Sequence, residues 1–216
     1  MGGVDAPDAV EAAFRAVDRR DFLPRARRSE ADADRPLTIG HGQTCSQSST
    51  VAAMLRLLDV RPAAQVLDVG AGSGWTTVLL AHLVGPGGEV LGLERVPDLA
   101  AWGGANVARA GLPWARLVRA VPDVLGAPRA GGWTRILVSA SPDHLPPALV
   151  DQLAPAGRMV IPVAGTMLLV ERASDGSLHV SEHGTYRFVP LVEGAADDGA
   201  AAGPHDGSGG PPPATS

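Results

Sequence analysis

The chain has 216 residues, a formal net charge of −5 and 45% hydrophobic residues. This length suits one domain of the usual α/β size, and the hydrophobic content is enough for a sizeable core, which excludes a wholly disordered chain. Because binding to a phosphate backbone needs a basic face, the acidic balance argues against a nucleic-acid partner.

The first part of the chain predicts one helix and then irregular structure. An Ala-rich helix is expected over residues 7–17, with Asp5 as its N-cap. A stretch rich in Arg and Asp follows, up to Pro36. All 18 basic residues of the chain are Arg. Five of them lie close together here, and we expect them to form a solvated face rather than an anion site: Arg19, Arg20, Arg25, Arg27 and Arg28.

The segment IGHGQTCSQSS, residues 39–49, is polar and contains glycine, so it is predicted to be a loop. Ser48 or Ser49 is expected to cap the helix that follows it. The apolar residues of that helix recur at the spacing of a single helical face: Val51, Met54, Leu55 and Leu58.

From residue 65 onward, strand and helix patterns alternate. Strands are predicted over residues 65–69, 89–93, 117–121, 135–139 and 158–163, and helices over residues 73–84, 97–109 and 146–153. This alternation predicts a parallel sheet that is covered on both faces. Two further apolar runs, 167–171 and 178–182, flank a Ser-Asp-Gly turn, so the last strands are expected to be antiparallel.

The C-terminal residues 195–216 contain no large apolar side chain and are dominated by Gly, Ala and Pro. Such a segment is expected to be disordered, because it cannot bury enough surface to offset its ordering entropy. The folded part is therefore predicted to end near Gly194.

Three features predict the compartment. No run approaches about 18 consecutive apolar residues, so we expect no membrane-spanning helix. The single Cys45 excludes an internal disulfide, which fits a reducing environment. The beginning of the sequence lacks the basic and then apolar run of a secretory signal. We expect a cytoplasmic protein, and a monomer.

The strongest local motif is VLDVGAGSGW, residues 66–75, in which a buried strand runs into Gly70-x-Gly72-x-Gly74 and then a helix. Glycines at such a turn allow a ligand to approach the backbone closely. Glu94 ends the next predicted strand, where a carboxylate can accept hydrogen bonds from a ribose. The pattern indicates an adenosine-type cofactor, and the alternative is a glycine-rich turn that binds nothing.

The identity of the cofactor depends on Trp75 and Asp68. The dinucleotide fingerprint needs a third glycine where Trp75 stands, and an indole there would obstruct the pyrophosphate seat. Gly-x-Gly-x-Gly preceded by an acidic residue, here Asp68, resembles motif I of S-adenosylmethionine-dependent methyltransferases. We therefore expect S-adenosyl-L-methionine as the cofactor.

The preceding segment DRPLTIGHGQTCSQSS, residues 34–49, resembles the substrate loop of protein-L-isoaspartate O-methyltransferases. The similarity extends to the AF-x-x-V-x-R-x-x-F-x-P pattern that begins at Ala13, to LERVPDLA after the second strand, and to the closing FVPL. It covers nearly the whole folded chain, and the GxGQTxSQ segment joined to motif I is quite specific to this family.

The resemblance implies a Rossmann-like α/β fold, with a mostly parallel seven-stranded sheet and antiparallel C-terminal strands. It implies a single domain over residues 1–194, with an N-terminal helix and substrate loop (1–47) ahead of the α/β core (48–194). It also implies site residues. Ser46 matches the active-site serine. Further residues are expected near the cofactor: Thr44, Cys45, Asp68, Gly70, Gly72, Gly74, Glu94 and Asp123. Three are expected near the substrate: His41, Gln43 and Gln47.

Methyl transfer to a carboxylate needs no strong general base, because the nucleophile is already ionised at neutral pH. Position and orientation then carry the catalysis, and a neutral hydroxyl such as that of Ser46 can orient the carboxylate. Cys45 is expected to act as a small hydrophobe rather than a nucleophile. The six His residues show no metal-ligand spacing, so no metal is expected.

Departures from the family pattern leave three functions open. Val121-Pro122-Asp123 stands where the family has Gly-Asp-Gly, and Asp123 is the candidate to supply the adenine contact. The first hypothesis is a repair enzyme that methylates isoaspartyl residues in damaged proteins or peptides, starting repair through a succinimide. The second is a specialised relative that methylates an Asp of one dedicated peptide. The third is a non-catalytic protein that binds cofactor or peptide.

Overall fold

The computed structural model describes residues 8–192. The predicted N-cap Asp5, the predicted domain end at Gly194 and the segment 195–216, predicted to be disordered, lie outside the described residues.

Nine strands and five α-helices are found within residues 8–192. The strands are β1 (Leu37–Gly40), β2 (Gln43–Cys45), β3 (Gln65–Val69), β4 (Glu89–Glu94), β5 (Ala115–Arg119), β6 (Trp133–Val138), β7 (Leu153–Val163), β8 (Thr166–Arg172) and β9 (Leu178–Thr185). The helices are α1 (Ala9–Ala16), α2 (Ser48–Leu58), α3 (Trp75–Val84), α4 (Pro97–Arg109) and α5 (Pro147–Val150).

Seven of the strands form one sheet in the order β5-β4-β3-β6-β7-β8-β9. Pairing is parallel from β5 to β7 and antiparallel from β7 through β8 to β9. The prediction of a mostly parallel seven-stranded sheet with antiparallel C-terminal strands is confirmed.

Helix α3 lies deepest in the fold, with nine of its ten residues buried. A helix that is apolar on all sides must be covered on all sides. It contacts β4 on the sheet and α1 from the N-terminal segment. Alternate residues of β3 serve opposite faces of the sheet, since Val66 packs with the α3 side and Leu67 with a second apolar cluster on the other face, to which α5 contributes.

The N-terminal segment is more regular than predicted. Helix α1 begins at Ala9, and the Asp8 carboxylate caps it by accepting from the Val10 backbone N–H at 3.0 Å. The stretch expected to be irregular contains two short 3-10 helices, Arg19–Phe22 and Arg25–Glu30. Of the five clustered arginines, Arg19 is buried while the other four are exposed, so the predicted solvated face is wrong for Arg19.

The segment predicted to be a loop is a β-hairpin, in which β1 pairs antiparallel with β2. Leu37 and Ile39 alternate with exposed positions in β1 and are buried. The turn passes through three residues with positive φ: Gly40, His41 and Gly42. Glycine adopts such angles at no steric cost, which allows the chain to reverse within two residues.

Helix α5 is shorter than predicted. The pattern indicated a helix over residues 146–153, but the helix covers only Pro147–Val150, and Leu153 already pairs with Trp133 as the first residue of β7. A four-residue helix next to a long strand has too few positions for helical periodicity to mark the boundary.

The prediction that Ser48 or Ser49 caps helix α2 is wrong. Gln47 occupies the N-cap position and makes no capping bond with its side chain. The carboxylate of Asp34, from the segment before β1, accepts from the Ser49 backbone N–H at 2.9 Å and from the Gln47 side-chain amide at 3.1 Å. These bonds hold the pKa of Asp34 below its usual value.

We predict that Asp34→Ala lowers the melting temperature by about 2–4 °C, because it removes the cap of α2. Asp32→Ala is the matched control, since Asp32 lies two residues away and makes only an exposed ion pair with Arg20. Thermal unfolding monitored by circular dichroism would contradict this assignment if both variants melted at the wild-type temperature.

Candidate active site

One cleft of about 540 Å³ lies at the carboxyl ends of the parallel strands. Strand order reverses here, because β3 is followed in the chain by β4 on one side while β6 lies on the other. Ligands of open α/β sheets bind at such a switch point. The volume falls within the range of small-ligand sites.

The glycine-rich turn after β3 forms the floor of the cleft. Gly70, Gly72 and Gly74 all have positive φ. Gly70 and Gly72 line the cleft, and a Cβ on Gly72 would stand 3.2 Å from the Ile39 side chain of the hairpin. Gly74 lies behind the cleft wall, where a Cβ would meet Val107 of α4 at 2.7 Å. Gly74 therefore allows α4 to pack closely rather than offering a contact surface.

Glu94 joins the turn after β3 to the end of β4. One carboxylate oxygen accepts from the Gly72 backbone N–H at 2.9 Å, and the other accepts from the Val96 backbone N–H at 2.8 Å. Glu94 is buried and lines the cleft. Each oxygen carries two lone pairs, so the carboxylate retains acceptor capacity for a pair of ligand hydroxyls.

Asp68 does not reach the cleft, contrary to the expectation that it lies at the cofactor. It is fully buried in β3, where one carboxylate oxygen accepts from the hydroxyls of Thr76 (2.8 Å) and Thr77 (2.7 Å). Its other oxygen, Oδ1, has no hydrogen-bond partner among residues 8–192. Asp68 thus fastens the start of α3 to β3 and supports the turn from behind.

Burial raises the pKa of Asp68 to about 6, and the negative charge of Glu94 adds to this effect. The two threonine hydroxyls act in the opposite direction, since they stabilise the ionised form. Ionisation of Asp68 therefore lowers the stability of the folded protein.

Four consecutive hairpin residues line the cleft opposite the glycine turn: Gln43, Thr44, Cys45 and Ser46. The structure thus brings the predicted Ser46 into the same cleft as Gly70 and Glu94. His41 and Gln47, predicted near the substrate, lie outside this lining. His41 is 3.5 Å from the Asp98 carboxylate on α4, and Gln47 donates to Asp34.

Cys45 is buried beside Ser46, and burial raises the pKa of its thiol. A protonated, buried thiol is a poor nucleophile. The side chain thus packs as a small apolar group in the cleft wall.

Asp123 lies in the loop after β5 that forms a further wall of the cleft, and its own φ is +60°. The sequence did not predict that residues 189–192 join this site. They are attached to the loop after β6 because Ser141 donates its backbone N–H to the Val189 carbonyl and accepts from the Leu191 N–H. Only the pairing of distant segments reveals this wall.

Two negative findings concern the described residues. No group of three or more His, Cys, Asp or Glu in this part of the chain is placed to hold a metal ion. No helix between residues 8 and 192 is long and apolar enough to cross a membrane.

The glycine turn and the buried carboxylate at the switch point define a Rossmann-like protein of the S-adenosylmethionine-dependent methyltransferase class. The family model of protein-L-isoaspartate (D-aspartate) O-methyltransferase matches residues 2–196. The chain belongs to this family.

Individual relatives agree with the family assignment. A protein-L-isoaspartate O-methyltransferase of Methanopyrus kandleri is 41% identical over 187 residues, covering 85% of this chain and 83% of the relative. One from Anaeromyxobacter dehalogenans is 45% identical over 186 residues, covering 83% of this chain and 87% of the relative. A Plasmodium falciparum structure described as a protein-L-isoaspartate O-methyltransferase, in complex with S-adenosyl-L-homocysteine, superposes with a TM-score of 0.73 at 29% identity, covering 88% of this chain and 92% of that one.

We predict that Asp68→Asn changes how stability depends on pH. Folding raises the pKa of Asp68 from 3.8 to about 6. The stability that the wild type gains from this raised pKa is fully present below pH 3.8 and is lost as the pH rises through about 6. Relative to Asp68→Asn, the wild-type free energy of unfolding should fall by about 2 kcal/mol between about pH 4.5 and about pH 7.5. Urea denaturation across this range measures it, and a relative gain for the wild type would contradict the assignment.

Proposed function

We propose that this chain transfers the methyl group of S-adenosyl-L-methionine to the carboxylate of L-isoaspartyl or D-aspartyl residues in proteins or peptides, and that Ser46 orients that carboxylate. The observation that carries the proposal is the position of Ser46, half-buried in the wall of the same cleft whose floor is the Gly70–Gly72 turn. Family membership supports the reaction, since the relatives above are named for it.

The described residues fit the cofactor. The turn at Gly70 and Gly72 presents backbone without side chains, and Glu94 has free lone pairs for the two ribose hydroxyls. Asp123 is proposed to serve the adenine from the loop after β5. S-adenosyl-L-methionine supplies an electrophilic methyl group on a positively charged sulfur.

The proposed task of the chain is to place the substrate carboxylate in line with that methyl group. The carboxylate is ionised at neutral pH, so no residue needs to remove a proton. The Ser46 hydroxyl donates one hydrogen bond, which fixes the direction of attack while leaving the charge on the nucleophile. Gln43, which also lines the cleft, is the candidate to contact the peptide, and Thr44 beside it is the candidate to contact the cofactor.

Apolar groups around the site support a reaction in which charge is lost. Trp75, Val69 and Leu93 line the cleft together with Cys45. Carboxylate and sulfonium neutralise one another as the methyl group moves, so a cleft with little water favours the products. The methyl ester then loses methanol when the next backbone nitrogen attacks its carbonyl, giving a succinimide that hydrolyses in part to normal aspartyl.

We further propose that the protein acts as a monomer in the cytoplasm. Its one thiol, Cys45, is free and buried, which is compatible with a reducing compartment.

The decisive assay measures transfer of a radiolabelled methyl group to an isoaspartyl peptide and to its aspartyl twin. The proposal predicts labelling of the isoaspartyl peptide at least about tenfold faster, a free-energy difference of about 1.4 kcal/mol. Preference for the aspartyl twin would instead support a dedicated Asp-containing substrate. Labelling of neither peptide, with retained cofactor binding, would support the non-catalytic alternative.

For Ser46→Ala we predict a roughly 10- to 1,000-fold loss of turnover, as expected when one well-placed donor is removed. Affinity for S-adenosyl-L-homocysteine should change little, because the Gly70–Gly72 turn and Glu94 remain. Ser48→Ala is the matched control, since Ser48 lies nearby but does not line the cleft. If Ser46→Ala kept wild-type turnover and melted several degrees lower, Ser46 would be a structural residue.

A further inference from the structure

Arg19 is a cation in the interior of the protein. It lies in the first 3-10 helix, and its side chain is 5% exposed, although the other arginines around it are on the surface. None of the carboxylates within residues 8–192 comes within ion-pairing distance of it. A buried charge without a counter-ion is costly unless its donors are satisfied.

Backbone carbonyls take the place of a counter-ion at the two terminal nitrogens of Arg19, whereas its buried Nε has no hydrogen-bond partner within residues 8–192. The guanidinium donates to three carbonyls of the segment before β1, namely Ala31 (3.3 Å), Ala33 (2.9 Å) and Arg35 (2.9 Å). It also donates to two carbonyls at the end of β2, those of Cys45 (3.0 Å) and Ser46 (2.7 Å). The shortest of the five bonds is therefore the one to the residue proposed to orient the substrate.

The guanidinium also contacts the cofactor side of the site. Its Cζ lies 5.2 Å from the ring centroid of Trp75, the first residue of α3, and Phe14 of α1 packs edge-on against the same indole at 5.4 Å. Because Trp75 follows the glycine turn directly, Arg19 bridges the hairpin that carries Ser46 and the helix that starts at the cofactor turn.

Asp34 holds the other side of Ser46. Its carboxylate binds Gln47 and the Ser49 N–H, while the residues on either side of it are bound by Arg19 through the carbonyls of Ala33 and Arg35. Ser46 thus lies between two anchored points of the backbone. Removal of the Arg19 bonds would release the carbonyl of Ser46 while Asp34 still held the start of α2.

From this geometry we propose that Arg19 is a positioning residue, which holds the backbone of Ser46 so that its hydroxyl faces the carboxylate site. The proposal rests on the function proposed for Ser46. If Arg19 only stabilised the segment before β1, its bonds to the three carbonyls of that segment would be sufficient. The bonds to Cys45 and Ser46, together with the contact to Trp75, fix the distance between the hydroxyl and the cofactor turn.

Lysine cannot replace this arrangement. Its ammonium has three donors on one nitrogen, whereas Arg19 serves five carbonyls from two nitrogens of a planar group that also faces an indole ring. Arg19→Lys keeps the charge and loses the geometry, so it isolates the positioning effect.

The test is a double-mutant cycle with Arg19→Lys and Ser46→Ala, in which kcat/KM for an isoaspartyl peptide is measured for all four proteins. In the wild-type background, Arg19→Lys should lower kcat/KM about 10- to 100-fold, since small misplacements of reacting groups cost this much. In the Ser46→Ala background, it should lower kcat/KM less than about threefold, because the hydroxyl it positions is absent. The drop in melting temperature should be equal in both backgrounds.

Two controls separate positioning from general damage. Arg20→Lys, at the exposed neighbouring position, should keep wild-type kcat/KM. Affinity for S-adenosyl-L-homocysteine, measured by calorimetry, should stay within about threefold for Arg19→Lys, since the direct contacts to the cofactor are intact. If Arg19→Lys does not fold, Arg19→Gln takes its place in the same cycle.

Equal fold losses from Arg19→Lys in both backgrounds would overturn the positioning role, as would wild-type kcat/KM for Arg19→Lys. The failure of the proposed function looks different. In that case the wild type itself does not label the isoaspartyl peptide, or Ser46→Ala alone is fully active, and the positioning role falls with it.

Discussion

The carboxylate of Glu94 joins the two halves of the site. It is buried at the end of β4 and accepts from the backbone N–H groups of Gly72 and Val96, so it links the turn after β3 to the segment that leads into α4. Burial of this carboxyl group is tolerated because both of its oxygens accept hydrogen bonds. The glycine turn can therefore remain open toward the cleft, and the hairpin packs against it where Ile39 approaches Gly72.

A second layer of polar groups supports this arrangement without reaching the cleft. Asp68 in β3 accepts a hydrogen bond from Thr76 of α3, and Arg19 donates one to the Ser46 carbonyl after β2. Asp34 accepts one from the Ser49 backbone N–H at the start of α2. Each is a charged group whose partners are backbone N–H groups, carbonyls or neutral side chains. Such bonds are directional and charge-assisted, so they restrict geometry more than apolar packing does. A reaction that depends mainly on orientation benefits from this restriction.

The sequence predicted those parts of the molecule that depend on local pattern. The parallel strands and α4 follow from periodicity, and the cleft at Gly70 and Glu94 follows from where these residues end their strands. The hairpin was missed because its strands have only four and three residues, too few for alternation to be visible. The cap by Asp34 and the burial of Arg19 depend on partners 15 and 27 residues away, which no local pattern specifies. Asp68 was placed at the cofactor by motif resemblance, whereas its side chain points into the interior between β3 and α3.

The central claim, that Glu94 both supports the turn and binds the cofactor ribose, is tested most directly by titration calorimetry with S-adenosyl-L-homocysteine. Glu94→Ala should weaken binding by about 1–3 kcal/mol, or about 5- to 150-fold, since hydrogen bonds to a charged group are lost. Glu89→Ala, at the other end of β4 and in contact only with surface arginines, should bind as the wild type does. Wild-type affinity for Glu94→Ala would contradict the claim.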